Sequence, residues 1–386
     1  MTVRVPANPA VIEWAVDHVK DPMGFKERHP EVLAWINGDR QPTWKQLKGF
    51  ARRVGIPFGY FFAPHIPVRE LPVADFREGF AGQAELSSEL WDVLSICEKR
   101  QSWYREYVED LGLSPVPFVG AASELTSDEA AAQMRMVLNY HVENRKGDVA
   151  AQRNVLIRNF ESFGGLTVFN SMVNDNTSRP LDENEFRGFS LVDQMAPLIF
   201  VNSRQTINGQ IFTFAHELAH IWRGRGGLGN STVASDSVDY IEQWCNIVAS
   251  EFLVPKDDIK HQWEMSIETS FVGKLETLSQ RYRCGTLVVL HGLKRAGIVS
   301  AVDFAKLYEI ELTRLKKLQR QNQKKKSGGG GNILYSRRFR IGGSFSRAVV
   351  NEMQAGRLQP TEAMSLTGIK SMAALDKYSS FIQEAD

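Results

Sequence analysis

The chain has 386 residues, 43% of them hydrophobic, and its 46 basic and 45 acidic side chains leave a net charge of +1. That length predicts two to three domains with a sizeable core, while the near-cancelling charge excludes reading a polyanionic partner from net charge, so only local clusters carry that signal. No apolar run reaches the roughly 18 residues that span a bilayer, "MTVRVPANPA" has no apolar signal core, and Cys97, Cys245 and Cys284 are too few and scattered for a disulfide framework. The expectation is a cytoplasmic protein with reduced thiols. Any zinc site in it must draw on histidine and carboxylate ligands.

Residues 1–64 read as a small helical domain. "VIEWAVDHV" places Ile12, Ala15, Val16 and Val19 at helical spacing. Pro30 suits a helix start and Gly38 a helix end. Thr43 caps a following helix whose Leu47, Phe50, Ala51 and Val54 form one face. The string Trp35-Ile36-Asn37-Gly38-Asp39-Arg40-Gln41-Pro42-Thr43 resembles the end of the third helix, and the turn after it, in repressor-like (XRE-type) helix-turn-helix domains. A DNA-reading helix needs polar side chains at its exposed end, yet "HPEVLAWI" is mostly apolar and offers Glu31. DNA binding, protein docking and packing on the rest of the chain therefore all stand as readings.

Residues 65–125 read as a turn-rich connector, with Asp75 and Arg77 as a structural pair, followed by a long helix over 86–112 whose Trp91, Trp103, Tyr104 and Tyr107 form a core stripe. Residues 126–303 read as the central domain. It opens with two helices over 126–163, the first entered through "TSDEAAAQM" with a cap and acidic first-turn residues. "GGLTVFNS" and "RGFSLVDQMAPLIFVNS" are β-branched and aromatic runs punctuated by Gly and Pro, so they predict short strands. Helix resumes at Ile211. The fold class expected is mainly α with a small β-sheet, α+β. Residues 304–331 read as a basic helix running into a Gly linker, with seven basic residues between Arg314 and Lys326 and no acid. That segment is either a solvated helix end or a contact for nucleic acid or an acidic partner. Residues 332–386 read as a second small helical, helix-turn-helix-like domain, turning at Thr367-Gly368.

The chemistry concentrates in "FTFAHELAHIWRGRGG", residues 212–227. In a helix, positions i and i+4 lie about 40° apart, so His216 and His220 can aim at one ion, while Glu217, about 100° from His216, faces a water on that ion. This division of labour gives the His-Glu-x-x-His spacing of metallopeptidases its logic. The apolar Phe212, Phe214, Ala215, Leu218, Ala219, Ile221 and Trp222 predict a buried helix. "PLIFVNSR" is the candidate substrate-binding edge strand, with Phe200, Val201 and Asn202 pairing an extended peptide. Gly224, Gly226, Gly227 and Gly229 are read as letting the chain turn away.

A catalytic zinc needs a third protein ligand and an open position. Asp236, Asp239, Glu242 and Glu251 are the downstream candidates. Glu242 is taken as the ligand, on the helix "VDYIEQWCNIVASEFLVP", with Asn246 one turn on and hydrogen-bonding a ligand histidine. Glu251 reads equally well as a surface residue near the helix end. Cys245 is disfavoured as a ligand by its angle from Glu242. His291 is one of several groups able to stabilise an oxyanion, and nothing in the sequence selects it.

"FTFAHELAHIW" followed by "IEQWCNIVASEFLVP" resembles the ImmA/IrrE family of metallopeptidases. The resemblance implies a zincin-like core of the HEXXH-plus-downstream-Glu (gluzincin) kind, flanked by helix-turn-helix-like domains, with zinc on His216, His220 and Glu242 and with Glu217 as catalytic base. It also implies a zinc endopeptidase that cleaves a helix-turn-helix regulator or partner protein in a stress, mobile-element or toxin–antitoxin system. The alternative it carries is an antitoxin or transcriptional regulator that neutralises a PIN-domain ribonuclease toxin by binding.

Overall fold

Four short helices open the chain: α1 (Pro9–Asp17), α2 (Pro22–Arg28), α3 (Pro30–Ile36) and α4 (Trp44–Val54). Pro22 and Pro30 sit in the first turns of α2 and α3, where a missing N–H costs nothing. Thr43 and Gln46 form a reciprocal cap on α4: Gln46 N donates to Thr43 Oγ1 at 3.2 Å and Thr43 N to Gln46 Oε1 at 2.9 Å. The inward faces meet in a core of Val11, Ile12, Val32, Trp35, Leu47, Phe50 and Phe61. Helix α3 turns Glu31 and Leu33 outward.

This computed structural model describes residues 4–17, 19, 21–54, 56, 58–66, 74–75, 86–229, 239–325 and 332–384. Arg77, Asp236 and the Gly linker lie outside them. The chain divides into two compact units. The smaller holds the four helices with Phe80–Ile96 and Met172–Leu181, and the larger holds the remainder. Among the described residues no helix is long and apolar enough to cross a membrane.

In the larger unit a five-stranded mixed sheet is flanked by helices. Its strands are β1 (Ala74–Asp75), β2 (Leu166–Asn170), β3 (Gly188–Leu191), β4 (Leu198–Asn202) and β5 (Gly227–Gly229), in the spatial order β1-β5-β3-β4-β2. Strands β3 and β4 form an antiparallel pair, Phe189 opposite Phe200. The turn between them is held by Asp193 Oδ1, which accepts from Met195 N and Ala196 N, both at 2.9 Å. On its other side β4 runs parallel to β2. This corrects the edge-strand expectation: Phe200, Val201 and Asn202 are buried inside the sheet with both backbone edges paired, so they cannot receive a peptide. The Asn202 side chain is itself used, its Nδ2 donating to Phe186 O at 3.1 Å. The Gly-rich run after residue 224 is corrected too. Gly224 does turn the chain, at φ +76, but Gly227–Gly229 then returns as β5 against β3.

The helices follow in chain order: α5 (Ser88–Asp110), whose first residues belong to the smaller unit, α6 (Ser127–Val137), α7 (Val149–Ser162), α8 (Ile207–Arg223), α9 (Tyr240–Leu253), α10 (Lys256–Glu264), α11 (Phe271–Tyr282), α12 (Thr286–Arg295) and α13 (Ala301–Lys325). Helix α8 starts four residues before the expected Ile211, because Thr206 caps it by accepting from Gly209 N at 3.2 Å. All thirteen residues from Gln210 to Trp222 are buried. Helix α8 is thus the central post of the unit, with α6, α7, α9 and the sheet packed around it.

The C-terminal helices α14 (Ile333–Ile341), α15 (Gly343–Gln354), α16 (Pro360–Thr367) and α17 (Met372–Glu384) belong to this same unit. Buried Arg100 on α5 donates to Leu366 O at 3.1 Å and Arg340 O at 3.1 Å, so one guanidinium satisfies the carbonyl ends of α16 and α14. Glu161 on α7 takes the opposite role. It accepts from Gly343 N at 3.1 Å and Ser344 N at 3.2 Å, the first turn of α15.

Candidate metal centre

Two helices bring the predicted ligands together. On α8, His216 and His220 project from one face, their ring centroids 4.9 Å apart and their Nε2 atoms 3.2 Å apart. Helix α9 is entered through Asp239, whose Oδ1 accepts from Ile241 N at 2.7 Å and Glu242 N at 3.2 Å. That cap fixes the first turn and with it Glu242, which is 0% exposed. Trp244, Cys245, Val248, Ala249 and Phe252 pack α9 into the core that α8 shares. Glu242 Oε2 then stands 3.2 Å from His216 Nε2, and Oε1 2.9 Å from His220 Nε2. Among the described residues these three form the one cluster of His, Cys, Asp or Glu placed to hold a metal ion.

The donor chemistry fits a cation. His220 Nδ1 lies 2.9 Å from Arg225 O. A carbonyl only accepts, so Nδ1 carries the proton and Nε2 presents a lone pair in the neutral ring. That lone pair meets a carboxylate oxygen and a second imidazole nitrogen in a buried space, a repulsive arrangement unless positive charge lies among them. Zinc–ligand bonds of about 2.0–2.1 Å put adjacent donors roughly 3.3 Å apart, close to the spacings found. With protons rather than a metal ion on the two Nε2 atoms, burial would push the Glu242 carboxyl up, but the charge and hydrogen bonding of His216 and His220 prevail and hold it far below the usual carboxylate range.

Glu217 is 2% exposed and sits beside the three ligands. Burial raises its pKa to about 8, with His220 opposing and Glu242 adding to the rise. Its neighbour across the sheet face is β3. A Cβ on Gly188 would meet Thr213 Cγ2 at 2.6 Å, Phe200 O at 2.8 Å and Glu217 Oε1 at 3.1 Å. Ser190, two residues on, shares that face and favours the charged carboxylate. Even so, neither Ser190 Oγ nor Glu217 Oε2 has a hydrogen-bond partner of ordinary geometry.

The other expected residues fall elsewhere. Asn246 is buried one turn beyond Glu242, but its amide bonds no histidine: Nδ2, Oδ1 and His216 Nδ1 are all without a hydrogen-bond partner. Asp239 is a cap. Glu251 is buried rather than on the surface, where it forms ion pairs with Arg295 and Arg135. Burial pushes the Cys245 thiol well above its ordinary pKa, with Glu242 adding to it, so the thiol stays protonated and outside the cluster. His291 Nδ1 pairs with Ser250 Oγ at 2.8 Å. Burial, helped by Arg295 and Lys294, brings its pKa down to about 3, which makes it a neutral packing group. Gly188 and Ser190 belong to no motif in the sequence. Their signal was the small residues of "RGFSL" preceding an apolar helix by a short interval.

Comparison with known proteins agrees with this geometry. Residues 161–294 match the Peptidase_M78 family model, described as an IrrE N-terminal-like domain, and the match covers every member of the cluster. It supports an ImmA/IrrE-type, generally metal-dependent peptidase family for this part of the chain. Residues 341–380 match a domain of unknown function, DUF8813. No curated protein matches the chain.

Proposed function

We propose that the chain is a zinc-dependent endopeptidase of the ImmA/IrrE type. The observation that carries this reading is the buried convergence of His216, His220 and Glu242 within 2.9–3.2 Å of one another, with Glu217 alongside. Zinc held by these residues supplies a Lewis acid and lowers the pKa of a coordinated water. Glu217 Oε2, unengaged by the protein, accepts the proton of the attacking water and delivers it to the leaving amine. Gly188 leaves the carboxyl the room to do so. The proposed substrate is a helix-turn-helix regulator or another partner protein in a stress, mobile-element or toxin–antitoxin system, met in the cytoplasm.

A second reading is an antitoxin or transcriptional regulator that neutralises a PIN-domain ribonuclease toxin by binding. It is favoured by the smaller unit, where Trp44 is 54% and Phe62 40% exposed, the two stacked on each other and both meeting Phe58 edge-on. Exposed aromatic clusters suit protein partners. DNA remains a proposed partner through the helical units or the basic 314–326 segment. The deciding experiment measures zinc content, partner cleavage and toxin neutralisation for the wild type, His216→Ala and Glu217→Gln. A peptidase loses metal in the first variant, and in the second keeps metal but loses cleavage. Full neutralisation by Glu217→Gln supports the binding reading instead.

A further inference from the structure

Helix α14 does not close flush on the core. Between it and α7 lies a cavity of about 230 Å³, walled by Arg158 and Asn154 from α7 and by Arg338 and Tyr335 from α14. Several arginines of this unit are engaged, Arg100 and Arg145 on helix-end carbonyls, Arg281 on Asp258 and Arg295 on Glu251, while Arg158 and Arg338 are set apart by lining one cavity together. Among the described residues, the guanidinium groups of Arg158 and Arg338 have no hydrogen-bond or ion-pair partner. Unpaired cations on the wall of one cavity call for an anion.

Glu161, the carboxylate at the cavity floor, does not supply it. Its oxygens already accept from Thr167 Oγ1, Gly343 N and Ser344 N. Burial also pushes its pKa up, against the pull of those bonds and of Arg347. Further donors point the same way. Asn154 Oδ1 is occupied by Arg153 at 3.2 and 3.3 Å, which leaves its Nδ2 to donate outward. The hydroxyl of Tyr335 is the other donor. Ile157 and the Phe339 ring supply an apolar wall. The volume is below the roughly 300–1,000 Å³ of drug-sized ligand sites, so the ligand is small. Each guanidinium fork matches a pair of oxygens. A phosphate monoester offers oxygens to both forks and up to two negative charges, whereas a single carboxylate offers one charge and two oxygens.

We propose that the α7–α14 cavity binds a compact organic phosphate, its phosphate held between Arg158 and Arg338 and its organic body against Ile157 and Phe339. The site is independent of the metal centre. Because its two walls come from the peptidase-like core and the C-terminal helices, a bound ligand bridges them.

Thermal unfolding of the full chain at low ionic strength tests this, with glucose 6-phosphate, AMP and inorganic phosphate as probes. At a hundredfold excess over Kd, an organic phosphate raises the wild-type Tm by about 3 °C. Arg158→Gln, at an exposed position, and Arg338→Gln each weaken binding by at least about tenfold, measured by calorimetry. Lys316→Gln, on α13, leaves it unchanged. The proposal is overturned if neither organic phosphate binds at millimolar concentration, if both arginine variants bind as the wild type does, or if inorganic phosphate binds as tightly as the esters.

Discussion

Glu161 and Glu217 make an instructive pair. Both are buried carboxylates on helices of the same unit, 9% and 2% exposed, and burial raises the pKa of each. They differ in what surrounds them. Glu161 has accepted a hydroxyl and two backbone N–H groups, and the chain segments it joins are docked by those bonds. Glu217 Oε2 has no partner, and the two helices that carry the ligands hold further unpartnered atoms: His216 Nδ1 and both polar atoms of Asn246. A buried polar atom left unpaired costs about 1–3 kcal/mol, so a fold does not gather several in one place for stability's sake. A satisfied carboxylate marks a junction, and a group of unsatisfied atoms marks a place where something else binds.

The largest test of that contrast strips one side of its ligand. His220→Ala is expected to abolish stoichiometric metal binding and cleavage, read by elemental analysis and a peptide-bond assay. A chelator should lower the Tm of the wild type and leave that of His220→Ala unmoved. Next comes Glu217→Gln, expected to slow cleavage by about 10²–10⁴-fold at unchanged metal content. Equal rates would mean that Glu217 is a spectator. On the junction side, Arg100→Met strands the carbonyls at the ends of α14 and α16. A loss of about 3 kcal/mol in urea unfolding is expected, with faster proteolysis of the C-terminal helices and unaltered metal binding.

Gly188→Ala pushes a methyl against Thr213, Phe200 O and Glu217. It should cost about 1–3 kcal/mol and reduce turnover while the metal stays bound. The smallest effect is electrostatic. Because the folded state raises the Glu161 pKa, the native protein holds that proton more tightly than the unfolded chain. Its contribution is therefore fully present below about pH 4 and declines as pH rises through the ordinary glutamate range to the raised value. Unfolding measured against pH should show a shallower decline in Glu161→Gln. An unchanged slope would mean that the carboxyl is not burdened by burial.

Local pattern made much of this legible. The i, i+4 spacing placed His216 and His220 on one face, the apolar stripe of α9 indicated which way Glu242 turns, and β-branched runs marked β2, β3 and β4. What escaped depends on distant partners. Whether β4 is an edge or interior strand is decided by β2, which precedes it by about thirty residues and pairs with it in parallel. Strand β5 is built of Gly227, Leu228 and Gly229, residues whose intrinsic preference argues against a strand, and only the waiting edge of β3 makes them one. Glu251 looked like a helix-end surface charge because Arg295, which pairs with it, lies 44 residues further on. No periodicity distinguishes Arg100 from the other charges of α5.

Arg100 also bears on how the molecule is made. Its acceptor Leu366 O lies 266 residues further along the chain. During synthesis α5 emerges early and its guanidinium then stays hydrated, while the sheet and the helices carrying the metal ligands are produced. Contacts of such long sequence separation form late and slowly. The residues of the metal centre are therefore all synthesised before the C-terminal helices that cover α5 and β2.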